Sequence, residues 1–275
     1  MPIKLLIVGG GRIGGALVAG LVSSRWAEPA EIGVVEPDVA RRSELVARHP
    51  GLAVVDQPDV AELVAGSSFT ADEGGAILAV KPEVAEPACR FIGTAGVRRV
   101  LSVVAGMPTD RLEATLPEGS VVVRAMPNTA VLVGAGISAI AAGSRARSFD
   151  LQWAEGILSA VGTVVRVPER LLHAVTGLSG SGPAYIFLVT EALIEAGVLA
   201  GLPRETSELL VLETVKGSAK LLAETGASPE ELRAQVTSPG GTTAAGLRML
   251  EAKAIRSAFL EAVAAATERS RQLAL

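Results

Sequence analysis

Ile3-Lys4-Leu5-Leu6-Ile7-Val8-Gly9-Gly10-Gly11-Arg12-Ile13-Gly14-Gly15 decides how the chain is read. Its first half is an Ile, Leu and Val run of the kind that forms a buried strand. The run ends in Gly9-x-Gly11-x-x-Gly14, and Ile13, Ala16, Leu17 and Leu21 follow at helical spacing. Strand, glycine turn and helix in that order form a dinucleotide fingerprint. Gly9 permits the tight turn, Gly11 lets the backbone approach a pyrophosphate, and Gly14 lets the helix pack on the strand. The helix start offers unpaired N–H groups and a partial positive charge to the phosphates. Gly9, Gly10, Gly11, Arg12, Ile13 and Gly14 are therefore candidate cofactor-binding residues.

Further along, continuous aliphatic strands alternate with helices. Strands are expected over 31–36, 52–55, 76–80, 100–104, 121–123, 131–140 and 164–167, and helices over 38–49, 60–65 and 148–161. That alternation indicates an α/β fold, a doubly wound and mostly parallel sheet of Rossmann type covered on both faces. It stops near Pro168, so residues 1–168 are read as a dinucleotide-binding domain. Residues 169–275 are read as an all-α domain for substrate binding and dimerisation. Helices are expected there over 183–200 and 203–225, from a capping-box start at Ser228-Pro-Glu-Glu231, and from Thr243 to Gln272. The 183–200 helix is apolar nearly all round, which one monomer would not bury alone.

Composition narrows the class. Of the 275 residues, 49% are apolar and 20% charged, a balance suited to a buried α/β core and not to a disordered chain. A net charge of −4 without a dense Lys/Arg run lacks the footprint of a nucleic-acid binder. The one cysteine, Cys89, cannot form an internal disulfide, and the two histidines, His49 and His173, stand apart from it. No metal site is expected. No signal-peptide pattern is expected either, because the first apolar run turns straight into the glycine motif. Glu191 and Glu195 in the middle of the most apolar later stretch argue against a membrane span. A cytoplasmic protein is the expectation.

Several other stretches have the chemistry of a site. Glu36 lies about 25 residues beyond Gly9, near the spacing at which an acid meets the adenosine ribose 2′-OH, which favours NADH. Arg41 and Arg42 follow closely and would favour a 2′-phosphate, so the choice between NADH and NADPH stays open. Ala79-Val80-Lys81-Pro82 closes the fourth strand on the edge where open α/β sheets bind ligands. Asn128, after the sixth strand, can hydrogen-bond a nicotinamide or order its loop. Late in the chain, Val236-Thr-Ser238-Pro-Gly240-Gly241-Thr242-Thr243-Ala-Ala-Gly-Leu247 concentrates hydroxyls and glycines ahead of a helix. Free amides there would hold a carboxylate, although ordinary N-capping by Ser or Thr is the alternative. Gly177-Leu-Ser179-Gly180-Ser181-Gly-Pro-Ala-Tyr185 has the same character.

Together, Val8–Gly14, Leu78–Pro82, Val123-Arg-Ala-Met-Pro-Asn128, Ser179–Tyr185 and Val236–Leu247 with Leu250-Glu251 resemble the pyrroline-5-carboxylate reductase family over nearly the whole chain. The resemblance implies reduction of 1-pyrroline-5-carboxylate to L-proline by NADPH or NADH, the last step of proline biosynthesis. It also implies a homodimer with intertwined helical domains, often assembled further into a decamer. Carried over by position, Thr243 would hydrogen-bond the imine nitrogen, and Ser238 with the backbone of Gly240, Gly241 and Thr242 would hold the carboxylate. Gly180 and Ser181 would line the site, and Ala79, Val80, Lys81 and Pro82 would contact the cofactor. Two departures stand out. Ser67–Gly75 reads as an insertion before the fourth strand, and the glycine pair that commonly separates the last two helices is replaced around Lys253-Ala254. Competing readings are a related two-domain imine or hydroxyacid reductase and a non-catalytic dinucleotide-binding regulatory protein.

Overall fold

Leu5–Val8 forms strand β1 with all four residues buried, as a run without polar alternation does when both faces of a sheet are covered. In the computed structural model, which describes residues 3–56, 63–64 and 74–274, β1 lies inside an eight-stranded sheet. The other strands are β2 (Ile32–Val35), β3 (Ala53–Val55), β4 (Gly75–Leu78), β5 (Arg99–Ser102), β6 (Val121–Pro127), β7 (Gly136–Ala142) and β8 (Gly162–Arg166). Their spatial order is β3-β2-β1-β4-β5-β6-β7-β8. Pairing is parallel except between β6 and β7. Strand order reverses direction between β1 and β4, and at such a point the carboxyl ends of the strands leave a crevice.

Successive β1 side chains point to opposite faces, and each face has its own core. Leu5 and Ile7 pack with Leu17 and Leu21 of helix α1 (Arg12–Ser23), Leu45 of α2 (Val39–Arg48), and Ile157 of α5 (Ser148–Leu158). Leu6 and Val8 pack with Ile92 of α3 (Ala85–Thr94) and Leu112 of α4 (Thr109–Thr115). Each fully buried Leu or Ile contributes about 1.5–3 kcal/mol. One ion pair lies within this core. Arg99 Nε donates to Asp150 Oδ1 at 2.9 Å, with side chains 3% and 0% exposed. The Phe149 and Trp153 rings flank the guanidinium at 5.2 and 5.3 Å. Removing either partner would leave a buried charge alone, so the pair fixes β5 against the start of α5.

The 131–140 segment, expected as one strand, is instead a 3₁₀ turn over Thr129–Val133 followed by β7. Gly134 ends the turn at φ +69°, and Val131 turns inward to 3% exposure. A Cβ on Gly136 would overlap Val131, so the strand can begin only after that close approach. The expected 60–65 helix falls largely outside the described residues, as do residues 67–73 of the insertion; β4 begins at Gly75.

The chain divides into two compact units. One holds the residues up to Ser181 together with those from Ala265 onward, and the other is Gly182–Ala264. Strand alternation ends with β8, yet the sheet unit continues past Pro168. Short helix α6 (Leu172–Val175) buries Leu172 against Ala139 and Ala141 of β7, and a π-helical turn, Thr176–Gly180, follows.

The second unit contains α7 (Gly182–Leu199), α8 (Arg204–Thr225), α9 (Pro229–Gln235), α10 (Thr242–Ala252) and the first part of α11 (Ile255–Gln272). Helices α7 and α8 pack side by side, with Ser207 Oγ donating to Ile194 O at 2.8 Å. No residue of α7 is buried within the single chain, and Phe187 is 67% exposed. By length and composition alone, Glu169–Leu199 could cross a membrane. The helical stretch from Thr243 to Gln272 breaks at Ala254, which adopts φ +54°. An alanine there costs about 1–2 kcal/mol relative to an unstrained residue. The break is therefore kept without the glycine pair.

Candidate active site

The glycine turn leaves β1 at Gly9, whose φ is +103°. A Cβ on Gly9 would lie 2.5 Å from Ala79 O, at the exit of β4. A Cβ on Gly14 would overlap the Gly9 carbonyl oxygen. These two glycines let α1 start directly against the strand end. Gly11 is the N-cap of α1 and supplies no side-chain cap. A Cβ on it would meet only Arg41 Nη1, at 3.9 Å. The first-turn amides of Arg12 and Ile13 thus open onto free space, and that cradle fits a diphosphate.

Two cavities adjoin the turn. An apolar slot of about 230 Å³ is lined by Val8, Gly9, Val35, Pro37, Val80, Val84, Pro87, Ala88 and Phe91, at the carboxyl ends of β1, β2 and β4. A groove of about 310 Å³ runs between α1 and α2, where Arg12, Arg41, Glu44 and Arg48 stand among glycines and apolar residues such as Leu45 and Leu132. Val80 thus lines the slot, whereas Lys81 is exposed just before the 3₁₀ turn Pro82–Val84.

Glu36 closes β2 as expected, but its carboxylate is engaged by its own chain. Oε2 accepts the Gly10 amide at 2.8 Å and Oε1 accepts the Asp38 amide at 3.0 Å, with the residue 3% exposed. Arg42 Nη1 donates to the carbonyls of Glu36 and Pro37, both at 2.8 Å, and lies 3.7 Å from the Asp56 carboxylate. Asn128 orders its loop: Oδ1 accepts the Ile137 amide at 3.2 Å and the Asn128 amide donates to Ile137 O at 3.2 Å. Gly180, in the π-helical turn, sits where a Cβ would come 2.6 Å from Met126 Cε. The Ser181 amide donates to Thr176 O at 2.8 Å.

A cluster that sequence reading missed holds this edge of the sheet. Arg124 interrupts the aliphatic run of β6 and is 4% exposed. Its Nη1 donates to Glu169 Oε1 at 3.0 Å, and Glu169 also accepts the Thr109 amide at 2.8 Å and the Thr109 hydroxyl at 2.6 Å. Burial opposes the charge on Glu169, but the Thr109 and Arg124 hydrogen bonds prevail and hold its carboxyl below the ordinary value. Nearby, His173 Nδ1 lies 3.0 Å from Ser270 Oγ. Burial, then Arg124 and Arg271, lower the His173 pKa. An arginine inside a buried strand signals an acid partner somewhere, but nothing local names Glu169 as that acid.

In the second unit, the 236–247 stretch forms a turn and the start of α10. Gly240 has φ +72°, and the Gly241 amide donates to Ser238 O at 3.0 Å. Gly241 is the N-cap of α10 and no side chain caps that helix. Among the described residues, the hydroxyls of Ser238, Thr242 and Thr243 have no hydrogen-bond partner. This differs from α9, where Ser228 and Glu231 form the expected capping box, with bonds of 3.2 and 2.8 Å. Ordinary capping is therefore not the role of the 238–243 hydroxyls. The amides and hydroxyls together suit a small carboxylate and a neighbouring polar atom.

Among the described residues, no group of three or more His, Cys, Asp or Glu could hold a metal ion. Burial pushes the Cys89 thiol up to about 11, which makes it a poor nucleophile.

Comparison with known proteins places these features in one family. Residues 169–273 match the family model described as pyrroline-5-carboxylate reductase dimerisation. The pyrroline-5-carboxylate reductase of Synechocystis is 44% identical over 274 residues, covering 99% of each chain. A solved pyrroline-5-carboxylate reductase from Coxiella burnetii is 34% identical, with a TM-score of 0.88 over 100% of both chains. The Plasmodium falciparum pyrroline carboxylate reductase, solved with NADP bound, is 29% identical, with a TM-score of 0.84 over 99% of this chain and 98% of that one. The dimerisation model covers the exposed apolar face of α7 and supports assembly into a homo-oligomer. An α/β sheet unit of Rossmann topology, a helical dimerisation segment and whole-length similarity converge: the chain belongs to the pyrroline-5-carboxylate reductase family.

Proposed function

We propose that this protein reduces 1-pyrroline-5-carboxylate to L-proline with NADPH or NADH, the last step of proline biosynthesis. The observation that carries the chemical reading is the uncapped start of α10, where Ser238, Thr242 and Thr243 keep free hydroxyls beside unpaired amides. Whole-length similarity to named pyrroline-5-carboxylate reductases supports it, and a relative solved with NADP bound supports the cofactor class.

Residues 1–168 bind the dinucleotide, and residues 169–275 bind substrate and dimerise. Gly9, Gly10, Gly11 and Gly14 with the Arg12 and Ile13 amides hold the diphosphate. The apolar slot beside Pro37 and Val80 takes the adenine, and Ala79, Lys81, Pro82 and Asn128 complete the cofactor's surroundings. The nicotinamide, when bound, supplies the hydride. Ser238 and the backbone of Gly240, Gly241 and Thr242 hold the substrate carboxylate. Thr243 hydrogen-bonds the imine nitrogen, its hydroxyl oxygen accepting the N–H once the imine is protonated, and Gly180 and Ser181 line the site.

Positioning does most of the work, because a protonated imine carbon already accepts hydride well. Thr243 is too weak an acid to be the proton source, so the imine arrives protonated or takes its proton through water. The working form is at least a homodimer, in the cytoplasm and without nucleic-acid or membrane partners. Mixing the protein with NADPH or NADH and pyrroline-5-carboxylate tests the reading. Substrate-dependent loss of reduced-nucleotide absorbance, with proline as product, is the expected result. Nucleotide binding without turnover would leave a regulatory dinucleotide-binding protein instead.

A further inference from the structure

Resting on the cofactor reading above, we infer that Arg41, assisted by Arg12, binds the 2′-phosphate of NADPH, and that Glu36 is a positioning residue. An acid at the end of the second strand ordinarily marks a ribose hydroxyl and hence NADH. Here the carboxylate is used differently. Each Glu36 oxygen takes a backbone amide, one from Gly10 in the glycine turn and one from Asp38 at the start of α2, and the residue is 3% exposed. It joins the two loops that shape the nucleotide's seat and offers little surface to a ligand hydroxyl.

The basic side chains of the neighbouring groove can be sorted by what already holds them. Arg42 is committed to the carbonyls of Glu36 and Pro37 and lies beside Asp56. Arg48 pairs with Glu44 at 2.6 Å. Arg41 and Arg12 have no side-chain hydrogen bond or ion pair among the described residues, and both line the groove. The Arg41 guanidinium reaches to 3.9 Å from the Cβ position over Gly11, beside the amides that take the diphosphate. Two unpaired guanidiniums face a groove whose lining acid, Glu44, is already engaged by Arg48. A phosphate dianion fits that balance, and a guanidinium can bind it through two parallel hydrogen bonds.

Calorimetric titration with adenosine 2′,5′-bisphosphate, adenosine 5′-phosphate, NADPH and NADH tests this without turnover. The wild-type protein should bind the 2′-phosphorylated member of each pair about tenfold more tightly or better. Arg41→Ala should erase most of that difference and leave NADH affinity unchanged, and Arg41→Lys should restore part of it. Glu36→Gln, which loses one of the two clips, should weaken both dinucleotides alike. Equal affinity for the two members of each pair would overturn the assignment while leaving the cofactor reading intact. So would a wild-type preference for NADH that Glu36→Gln reverses. Failure to bind either dinucleotide would overturn both.

Discussion

In the sheet unit, Arg99 meets Asp150, Glu36 accepts two amides, and Glu169 accepts Arg124 and Thr109. In the helical unit, Ser238, Thr242 and Thr243 keep their hydroxyls free, and α7 leaves Phe187, Leu188 and Ile186 exposed. Buried polar groups in a folded chain are ordinarily paired, and large exposed apolar faces ordinarily meet something. The first unit pairs its buried charges within its own chain, although Arg99 Nη2, Glu113 Oε1 and Ser120 Oγ keep no partner among the described residues. The second leaves an apolar face of the kind that a partner chain covers.

The largest expected effect is on assembly. Phe187→Asp should weaken self-association by roughly 3–6 kcal/mol per dimer, because a two-fold interface loses the anchor twice at about 1.5–3 kcal/mol each. Sedimentation should then show smaller species at concentrations where the wild-type protein is associated. Unchanged assembly would mean that α7 does not form the interface, and the contrast between the units would lose one of its two legs.

A smaller effect tests the paired charges of the sheet unit. Glu169→Gln removes the counter-charge of Arg124, which is 4% exposed, and should cost about 2–3 kcal/mol of stability near neutral pH. Glu169 is held below its ordinary pKa, so its contribution is fully present above the unfolded value of about 4.3. That contribution disappears as pH falls through the folded value. Denaturant midpoints of wild type and variant should converge on acidification. A gap that stays constant with pH would show that the cluster is held by packing and not by charge.

The same contrast explains what could be read from the sequence. The β1–turn–α1 unit was legible because Gly9 and Gly14 answer local demands, a positive φ and a close approach, that only glycine meets. The capping box at Ser228 and Glu231 is equally local. The 236–247 turn was legible as unusual, but only coordinates separate a free Thr243 hydroxyl from an ordinary cap. The spacing of Glu36 fits a ribose hydroxyl, while the Gly10 amide that its carboxylate accepts is visible only in three dimensions. Arg124 and Glu169 lie 45 residues apart, beyond any periodic signal. The β7 boundary was displaced because Val131 and Ile137 look alike to a propensity argument, whereas Gly134 and Gly136 set where the strand can start.

The proposed division of labour, cofactor on one unit and substrate on the other, is tested most directly at Thr243. Steady-state reduction of pyrroline-5-carboxylate would be measured for wild type and Thr243→Ala, with NADPH affinity determined on the same samples. The account predicts that kcat/KM for the imine falls roughly tenfold to a hundredfold, the loss of one hydrogen bond to a charged centre, while NADPH affinity is unchanged. Unchanged turnover in Thr243→Ala would contradict it.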